Sequence, residues 1–147
     1  MRKTWSEVWM EIALAISNRS YDPRLKVGAI IVSSDNHQML ALGYNGNYMG
    51  GPNEPESIEP GKSGFLHAEI NALVKCDYNY HKDKIMYVTH SPCIHCSKAI
   101  INGGIKCVVY NDLYRDITGL NILKESNIKI FSLDEAKDFN LKNKYLI

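Results

Sequence analysis

The hydrophobic pattern along the chain switches between helical and strand spacing. Apolar side chains recur every three or four positions from residue 5 to 18, which predicts an amphipathic helix. A β-branched run at 27–32, a polar stretch at 33–38 and a second apolar run at 39–42 predict a hairpin. Beyond residue 66 the pattern predicts helices at 67–76, 93–102, 117–126 and 133–141, and strands at 85–89, 105–110 and 128–131.

This order of elements favours an α/β sandwich. Strands that alternate with helices of about ten residues are typical of a partly parallel sheet, here with a hairpin at one side. A chain of 147 residues suits one domain, which we expect to span residues 1–147. The segment from 43 to 64 is rich in glycine and proline and has no periodic pattern. Loops of this length tend to be lids or binding loops.

Composition narrows the class of ligand and the compartment. Seventeen Lys and Arg against sixteen Asp and Glu leave a net charge of +1. Proteins that hold long nucleic acid through its phosphates are usually more basic, so we expect a small or single-nucleotide ligand and no long nucleic acid. No run of about 18 apolar residues is present, so we expect no membrane span. The N-terminus does not resemble a signal peptide, and we expect a cytoplasmic protein with reduced cysteines.

A close pair of cysteines opens the helix predicted at 93–102. Cys93 and Cys96 are three residues apart, which places both sulfurs on one face of a first helical turn, and Pro92 suits that turn as well. A helix N-terminus favours the thiolate that a metal requires. The spacing alone is shared by redox dithiols and by zinc sites, and both interpretations remain open. Cys76, late in the preceding helix, and Cys107, within a strand, are more simply small buried hydrophobes.

His67 and Glu69 extend this pair into a candidate catalytic centre. Catalytic zinc sites use three protein ligands and leave the fourth position for water, and His67 with Cys93 and Cys96 makes such a set. Bound zinc lowers the pKa of its water to about 7, and Glu69 would transfer the protons. Residues two apart in a helix diverge by about 200°, so His67 and Glu69 share one site only if they straddle the point where the helix begins.

The combined pattern H-x-E…P-C-x-x-C is the signature of the zinc nucleobase deaminases. The chain resembles that superfamily and, more narrowly, the deoxycytidylate deaminases, over roughly residues 5 to 131. The segments that carry the resemblance are Arg19-Ser20-Tyr21-Asp22-Pro23, Lys26-Val27-Gly28-Ala29, Gly43-Tyr44-Asn45-Gly46, His67-Ala68-Glu69-Ile70-Asn71-Ala72, Ser91-Pro92-Cys93-Ile94-His95-Cys96, Gly104-Ile105-Lys106-Cys107-Val108-Val109-Tyr110 and Tyr114-Arg115-Asp116.

The resemblance implies a fold, a reaction and an assembly. The fold would be a three-layer α/β/α sandwich around a central mixed five-stranded sheet. The reaction would be zinc-dependent hydrolysis of dCMP to dUMP and ammonia, a step toward dTMP, in the cytoplasm, or the host cytoplasm for a viral protein. Members are usually homohexamers, and many are activated by dCTP, with Mg²⁺ accompanying the triphosphate, and inhibited by dTTP at a second site.

The resemblance also implies roles for particular residues. Asn45 would hold the nucleotide sugar, Tyr114 would contact the substrate, and Lys26 would lie near a phosphate. Tyr44 and Gly46 would belong to the effector site. Each has a plainer interpretation: Asn45 and Gly46 form a common turn dipeptide, and Tyr114 and Lys26 suit a half-buried aromatic and a solvated cation.

Two departures from the family pattern affect these expectations. No proline follows Gly43-Tyr44-Asn45-Gly46, so we expect a lid of different shape. Some phage members bind a second, structural zinc through Cys and His residues in the long loop. Between Tyr44 and Leu66 this chain has neither residue, so we expect one zinc per subunit.

Other functions compete with this interpretation. The nearest are other zinc deaminases, acting on cytidine, guanine or the wobble adenosine of tRNA; near-neutral charge weighs against tRNA, and the residues around Asn45 weigh against free bases. A non-catalytic zinc module would explain the cysteines but not the carboxylate beside only three ligands. His90 and His95 flank the metal motif, and the sequence assigns them no role.

Overall fold

The protein is described here from a computed structural model that covers residues 1–147. Every helix and strand predicted from the hydrophobic pattern is present. In chain order they are α1 (Trp5–Ser17), β1 (Gly28–Ser33), β2 (Met39–Tyr44), α2 (Ala68–Leu73), β3 (Lys84–His90), α3 (Ile94–Asn102), β4 (Ile105–Asp112), α4 (Thr118–Glu125), β5 (Lys129–Ser132) and α5 (Leu133–Lys142). None of these helices has both the length and the apolar character that crossing a bilayer requires.

The five strands form one mixed sheet in the order β2-β1-β3-β4-β5. Strand β1 pairs antiparallel with both β2 and β3, whereas β3, β4 and β5 run parallel. The β1–β2 hairpin therefore lies at one side of a partly parallel sheet, as the pattern predicts. Its turn contains Asn36 at φ 65°, a conformation that asparagine tolerates better than most residues.

Alternating side chains of the strands build a separate core on each face of the sheet. On one face, strand residues such as Ile31, Met86 and Val108 pack against α2, α3 and α4. On the other, residues such as Ile30 and Tyr87 pack against α1 and α5. All six residues of β1 are buried because both faces of the strand are covered. The three-layer α/β/α arrangement is confirmed.

Two local expectations are corrected. Helix α2 ends at Leu73, not at residue 76, so Cys76 lies in the following turn. The backbone N–H groups of Lys75 and Cys76 bond to carbonyls three residues back, at Ala72 and Leu73, which ends the α-helical pattern. The buried Lys84 ammonium then donates to the next carbonyl oxygens, of Asp77 and Tyr78, at 3.3 and 3.2 Å.

Helix α3 also begins later than expected. Cys93 is its N-cap residue, with extended backbone, so Pro92 precedes the cap and does not lie in the first turn. The reason is that the Cys93 sulfur accepts the Cys96 backbone N–H, as N-cap side chains do.

Two glycines bring helices into direct backbone contact with neighbouring segments. A Cβ at Gly43, in β2, would lie 2.4 Å from the Ala68 carbonyl oxygen at the start of α2. A Cβ at Gly119, in α4, would lie 2.2 Å from the Pro92 carbonyl oxygen, just before α3. Both distances are well inside van der Waals contact. The starts of α2 and α3 are therefore positioned by contacts that only glycine permits.

We expect Gly43→Ala to destabilise the protein, because the added methyl group must displace α2. Overpacking of this kind costs about 1–3 kcal/mol, which for a chain of this size lowers the Tm by roughly 2–10 °C. The control is Gly46→Ala, whose Cβ would meet only the Tyr44 ring at 3.7 Å, an ordinary contact. Equal Tm values for the two variants, measured by calorimetry, would contradict the close-packing role of Gly43.

Candidate active site

The predicted ligands lie where the N-termini of α2 and α3 meet. His67 is the N-cap residue of α2, with extended backbone at φ −72° and ψ 153°, and Glu69 lies in the first turn. Cys93 caps α3, and Cys96 lies in its first turn. Because His67 stands just outside its helix, the angular separation of a regular helix does not apply, and His67 and Glu69 reach the same cleft, as the sequence required.

The donor set has the dimensions of a zinc site. The His67 Nδ1 atom lies 3.6 Å from the Cys93 sulfur and 3.3 Å from the Cys96 sulfur. The three donor atoms lie within 4.8 Å of one another. Tetrahedral zinc, bonded at about 2.3 Å to sulfur and 2.1 Å to nitrogen, places such atoms about 3.5 Å apart. The two nitrogen–sulfur distances fit zinc, and three protein ligands leave one coordination position for water.

The electrostatics of the cysteine pair also suit a cation. A hydrogen bond from Cys96, supported by His67, lowers the pKa of Cys93 to about 3. The same bond to Cys93, together with burial, raises the pKa of Cys96 above its usual range. The environment thus favours the thiolate at Cys93, and a bound divalent cation would favour the second thiolate, at Cys96.

Glu69 is a buried carboxyl group beside this cluster. Only 4% of its surface is exposed. Burial raises its pKa to about 7, because a low-dielectric environment disfavours the ionised form. A carboxyl group in this environment can both take up and release a proton near neutral pH. Its position beside the ligands, and not among them, is what acid–base catalysis requires.

The cluster adjoins an open cleft of about 750 Å³, measured with its solvent-filled mouth. His67, Glu69 and Cys93 line it, together with the apolar Val27 and Phe65. Five residues of the long glycine- and proline-rich segment border the same cleft: Ser57, Ile58, Glu59, Gly61 and Ser63. The segment is therefore part of the site's wall, in agreement with its interpretation as a binding loop.

The predicted substrate residues divide into two groups. Asn45 and Tyr114 line the cleft. Lys26 is exposed and does not line it, whereas Arg24 does. The sequence did not single out Arg24 or Asp22, although Asp22 lies in the first segment that carries the resemblance and Arg24 lies between that segment and the next. Side-chain type could not separate Arg24 from Lys26, because both are solvent-compatible cations.

Asn45 has a defined set of hydrogen bonds within the protein. Its Oδ1 accepts the Val27 backbone N–H at 2.8 Å. Its Nδ2 donates to the Leu25 carbonyl oxygen at 2.8 Å and to the Asp22 carboxylate at 3.3 Å. The amide therefore connects residues 43–46, at the end of β2, to the segment 22–27. Both of its donors are used in this role, which leaves Oδ1 with one lone pair for a ligand.

Ser91 and His90, whose side chains the sequence had left without a role, form the cleft wall beside the metal motif. The Ser91 hydroxyl accepts the Tyr114 backbone N–H at 2.6 Å, which fixes the position of Tyr114. His90 lines the cleft with its Nε2 atom 3.7 Å from the Asp112 carboxylate. His95 is exposed and does not line the cleft.

Tyr44 and Gly46 line a second, neighbouring cavity. Tyr21 and Tyr48 contribute to its wall, and Phe65 lines both cavities. No lysine, arginine or histidine lines the second cavity within residues 1–147. The two expected effector residues are therefore close together, in a site that contains no cation of its own.

Fold and site together define an α/β/α protein with a three-ligand metal centre and a buried carboxyl group beside it. The cytidine and deoxycytidylate deaminase zinc-binding region, as a family model, matches residues 3–112. The chain belongs to this family.

Individual relatives agree with this assignment. ComE operon protein 2 of Bacillus subtilis (strain 168) is 38% identical over 120 residues, covering 78% of this chain and 62% of that protein, so the chain spans about three fifths of that relative. Deoxycytidylate deaminase of Mycobacterium phage D29 is 36% identical over 124 residues, covering 74% of this chain and 95% of the phage protein. The human deoxycytidylate deaminase is 35% identical over 121 residues, which cover 76% of this chain and 67% of the human protein.

A solved structure shows the same architecture. The dCMP deaminase of cyanophage S-TIM5, in complex with dCMP and dUMP, superposes with a TM-score of 0.77 at 35% sequence identity. The match covers 90% of this chain and 98% of the cyanophage chain.

We expect the four cysteines to react with a thiol reagent in three stages. In zinc-loaded protein only the half-buried Cys76 reacts. A chelator then makes the half-buried Cys93 reactive, whereas Cys96, which is buried and has a raised pKa, reacts only on unfolding. Cys107 reacts only on unfolding, because it is buried and its burial raises its pKa to about 12.

Metal analysis of the same samples checks the stoichiometry, and we expect one zinc per chain. Reactive Cys93 and Cys96 in protein that binds no zinc would instead support the redox dithiol. Two tightly bound zinc ions per chain would contradict the single-site expectation.

Proposed function

We propose that this chain hydrolyses the 4-amino group of dCMP, giving dUMP and ammonia. The observation that carries the proposal is the His67, Cys93 and Cys96 donor set with the buried Glu69 beside it, at an open cleft. Support for the substrate comes from the relatives named deoxycytidylate deaminase and from the cyanophage enzyme solved with dCMP and dUMP.

The contribution of the metal to the reaction would be to activate a water molecule. Zinc held by His67, Cys93 and Cys96 lowers the pKa of its water, so that a nucleophile for C4 of the cytosine is available at neutral pH. Everything else is supplied by the protein. His67, Cys93 and Cys96 would hold the metal at the cleft, and the buried Glu69 would handle the protons.

Glu69 would carry the protons through the reaction. Its carboxylate accepts the proton of the attacking water and passes it to N3 of the ring. The same carboxylate then takes the proton of the hydroxyl group now on C4 and gives it to the amine. The C4–N4 bond breaks, the C4 carbonyl of the uracil forms, and ammonia leaves with the carboxylate ionised again. The burial that raises its pKa brings the two protonation states close in free energy, which favours both transfers.

The cleft wall would hold the base. Val27 and Phe65 present apolar surface to the ring faces, and backbone groups around Ser91 are suited to the polar edge of the cytosine. Tyr114, fixed by its bond to Ser91, and Asn45, through the free lone pair of Oδ1, would contact the substrate.

We further propose that the protein is a cytoplasmic homohexamer regulated by dCTP and dTTP at the second cavity. The presence there of Tyr44 and Gly46 supports this site. Because its wall includes no cation, the charge of a triphosphate would be balanced by Mg²⁺ or by a neighbouring subunit. Exposed apolar side chains, including Tyr48, Met49 and Val74, are consistent with contacts between subunits.

We expect Glu69→Gln to retain zinc and fold while turnover falls by about 10²- to 10⁴-fold, because an amide cannot transfer the protons. Ammonia release, zinc content and Tm are measured on the same preparation. The control is Glu125→Gln, the same chemical change at an exposed position of α4, which should leave all three quantities unchanged. Near wild-type turnover in Glu69→Gln would refute the mechanism.

A substrate panel tests the proposed reaction itself. Ammonia release is measured with dCMP, CMP, deoxycytidine, cytosine, guanine and a tRNA anticodon stem, with dCTP and Mg²⁺ present and absent. We expect dCMP to exceed the others and dCTP to raise its turnover. Preference for another substrate would retain the zinc chemistry and overturn the assignment, and absence of a dCTP effect would remove the regulatory proposal alone.

A further inference from the structure

One large apolar side chain of the cleft wall is mostly exposed to solvent. Ile58, in the long glycine- and proline-rich segment, lines the cleft and is 75% exposed. Other apolar residues of the wall are packed against the protein: Phe65 is 7% exposed, and Val27 lies against the core. A single exposed isoleucine is ordinary on a protein surface. Because Ile58 lines a cleft, however, a ligand bound there can remove its apolar surface from water.

Residues 53–64, called the flap from here on, are bonded to one another and not to the body of the protein. The Glu56 backbone N–H donates to the Ser63 carbonyl oxygen at 2.8 Å, which closes the flap on itself. The Lys62 ammonium pairs with the Glu59 carboxylate at 3.0 Å. Within residues 1–147, no hydrogen bond or ion pair joins the flap to any residue except the one that directly follows it.

The two ends of the flap, in contrast, are fixed. Before it, the Asn47 side-chain amide donates to the Pro52 carbonyl oxygen at 3.0 Å. After it, Leu66 and Gly46 exchange two backbone hydrogen bonds, at 2.8 and 3.0 Å. Gly64, the last residue of the flap, has φ 76°, a conformation that favours glycine. The flap is therefore a self-contained unit between two fixed points, and its movement breaks few bonds to the rest of the protein.

We propose that the flap closes over the bound substrate and that Ile58 is its apolar contact with the nucleotide. The inference rests on the proposed function, whose substrate has apolar surface on the faces of its base and on the carbons of its deoxyribose. This surface and that of Ile58 both face water when they are apart, so bringing them together favours closure. A closed flap also keeps bulk water away from the reacting groups.

Substitutions of Ile58 test the contact through turnover. We expect Ile58→Ala to lower kcat/KM for dCMP roughly 5- to 50-fold, because truncation removes most of the apolar contact. Ile58→Gln, similar in size but polar, should lose a comparable factor, whereas Ile58→Leu should stay within about twofold of wild type. The control is Leu141→Ala, the same truncation at a 70% exposed residue of α5 outside the cleft, which should leave kcat/KM unchanged.

Proteolysis tests the closure without turnover. Lys62 is the only lysine or arginine between Lys26 and Lys75, and its side chain is 67% exposed, so trypsin cleavage after Lys62 reports on the flap. We expect dUMP, at a concentration that saturates the zinc-loaded wild type by calorimetry, to slow this cleavage about fivefold or more. Ile58→Ala, at its own saturating dUMP concentration, should lose most of this protection. A peptide substrate shows that dUMP does not inhibit trypsin itself.

Each of three results would overturn the proposal. The first is a kcat/KM for dCMP in Ile58→Ala, or in Ile58→Gln, that equals that of wild type. The second is trypsin cleavage of wild type at an unchanged rate when dUMP is present. The third is equal protection by dUMP in wild type and in Ile58→Ala.

Failure of the proposed function is separately visible in the wild-type protein. A wild type that does not hydrolyse dCMP contradicts the function before any variant of the flap is compared. The trypsin measurement with dUMP then decides the flap alone. Protection that depends on Ile58 supports closure, and no protection, or protection that Ile58→Ala retains in full, overturns it.

Discussion

The contact between the N-termini of α2 and α3 is the constraint on which the rest of the site depends. It brings the His67 nitrogen to within 3.6 Å of both cysteine sulfurs. Two glycines permit this arrangement. Gly43, in β2, lets the start of α2 lie at backbone distance from the sheet, and Gly119 lets α4 lie at backbone distance from the residues just before α3. The same two helix starts place Glu69 next to the cluster and orient partial positive charge toward the thiolates. Metal binding, proton transfer and thiolate stabilisation thus share one structural cause.

A second constraint is the polar network that joins residues 43–46, at the end of β2, to the segment 20–27. Asn45 is central to it, with side-chain bonds to Asp22, Leu25 and Val27. Buried polar groups that satisfy one another in this way restrict the backbone to one arrangement. The network lies between the substrate cleft and the second cavity, because Asn45 lines the first while its neighbours Tyr44 and Gly46 line the second. Phe65 completes the shared wall.

The sequence-based expectations are accurate for features that depend on residues close together along the chain and inaccurate for features that depend on distant residues. Helix α1 and the hairpin β1–β2 depend on local periodicity and turn chemistry, and both are predicted within a few residues. The end of α2 is missed because the segment after it leaves the helix and is held by a contact that is not local, from the Lys84 ammonium to the Asp77 and Tyr78 carbonyl oxygens. Lys26 is preferred to Arg24 in the sequence for a similar reason, since only the path of the chain decides which cation faces the cleft.

The sequence by itself determined the chemistry of the centre and the class of fold. Its histidine, glutamate and cysteine residues specify donors and a proton carrier whatever their environment, and short-range periodicity specifies the elements that carry them. Only the tertiary structure decided how these groups act together. The distances among His67, Cys93 and Cys96, the burial that raises the Glu69 pKa, and the position of Arg24 in the cleft wall all result from contacts between segments distant along the chain. Such contacts depend on the packing of helices against the sheet, and no local pattern encodes them.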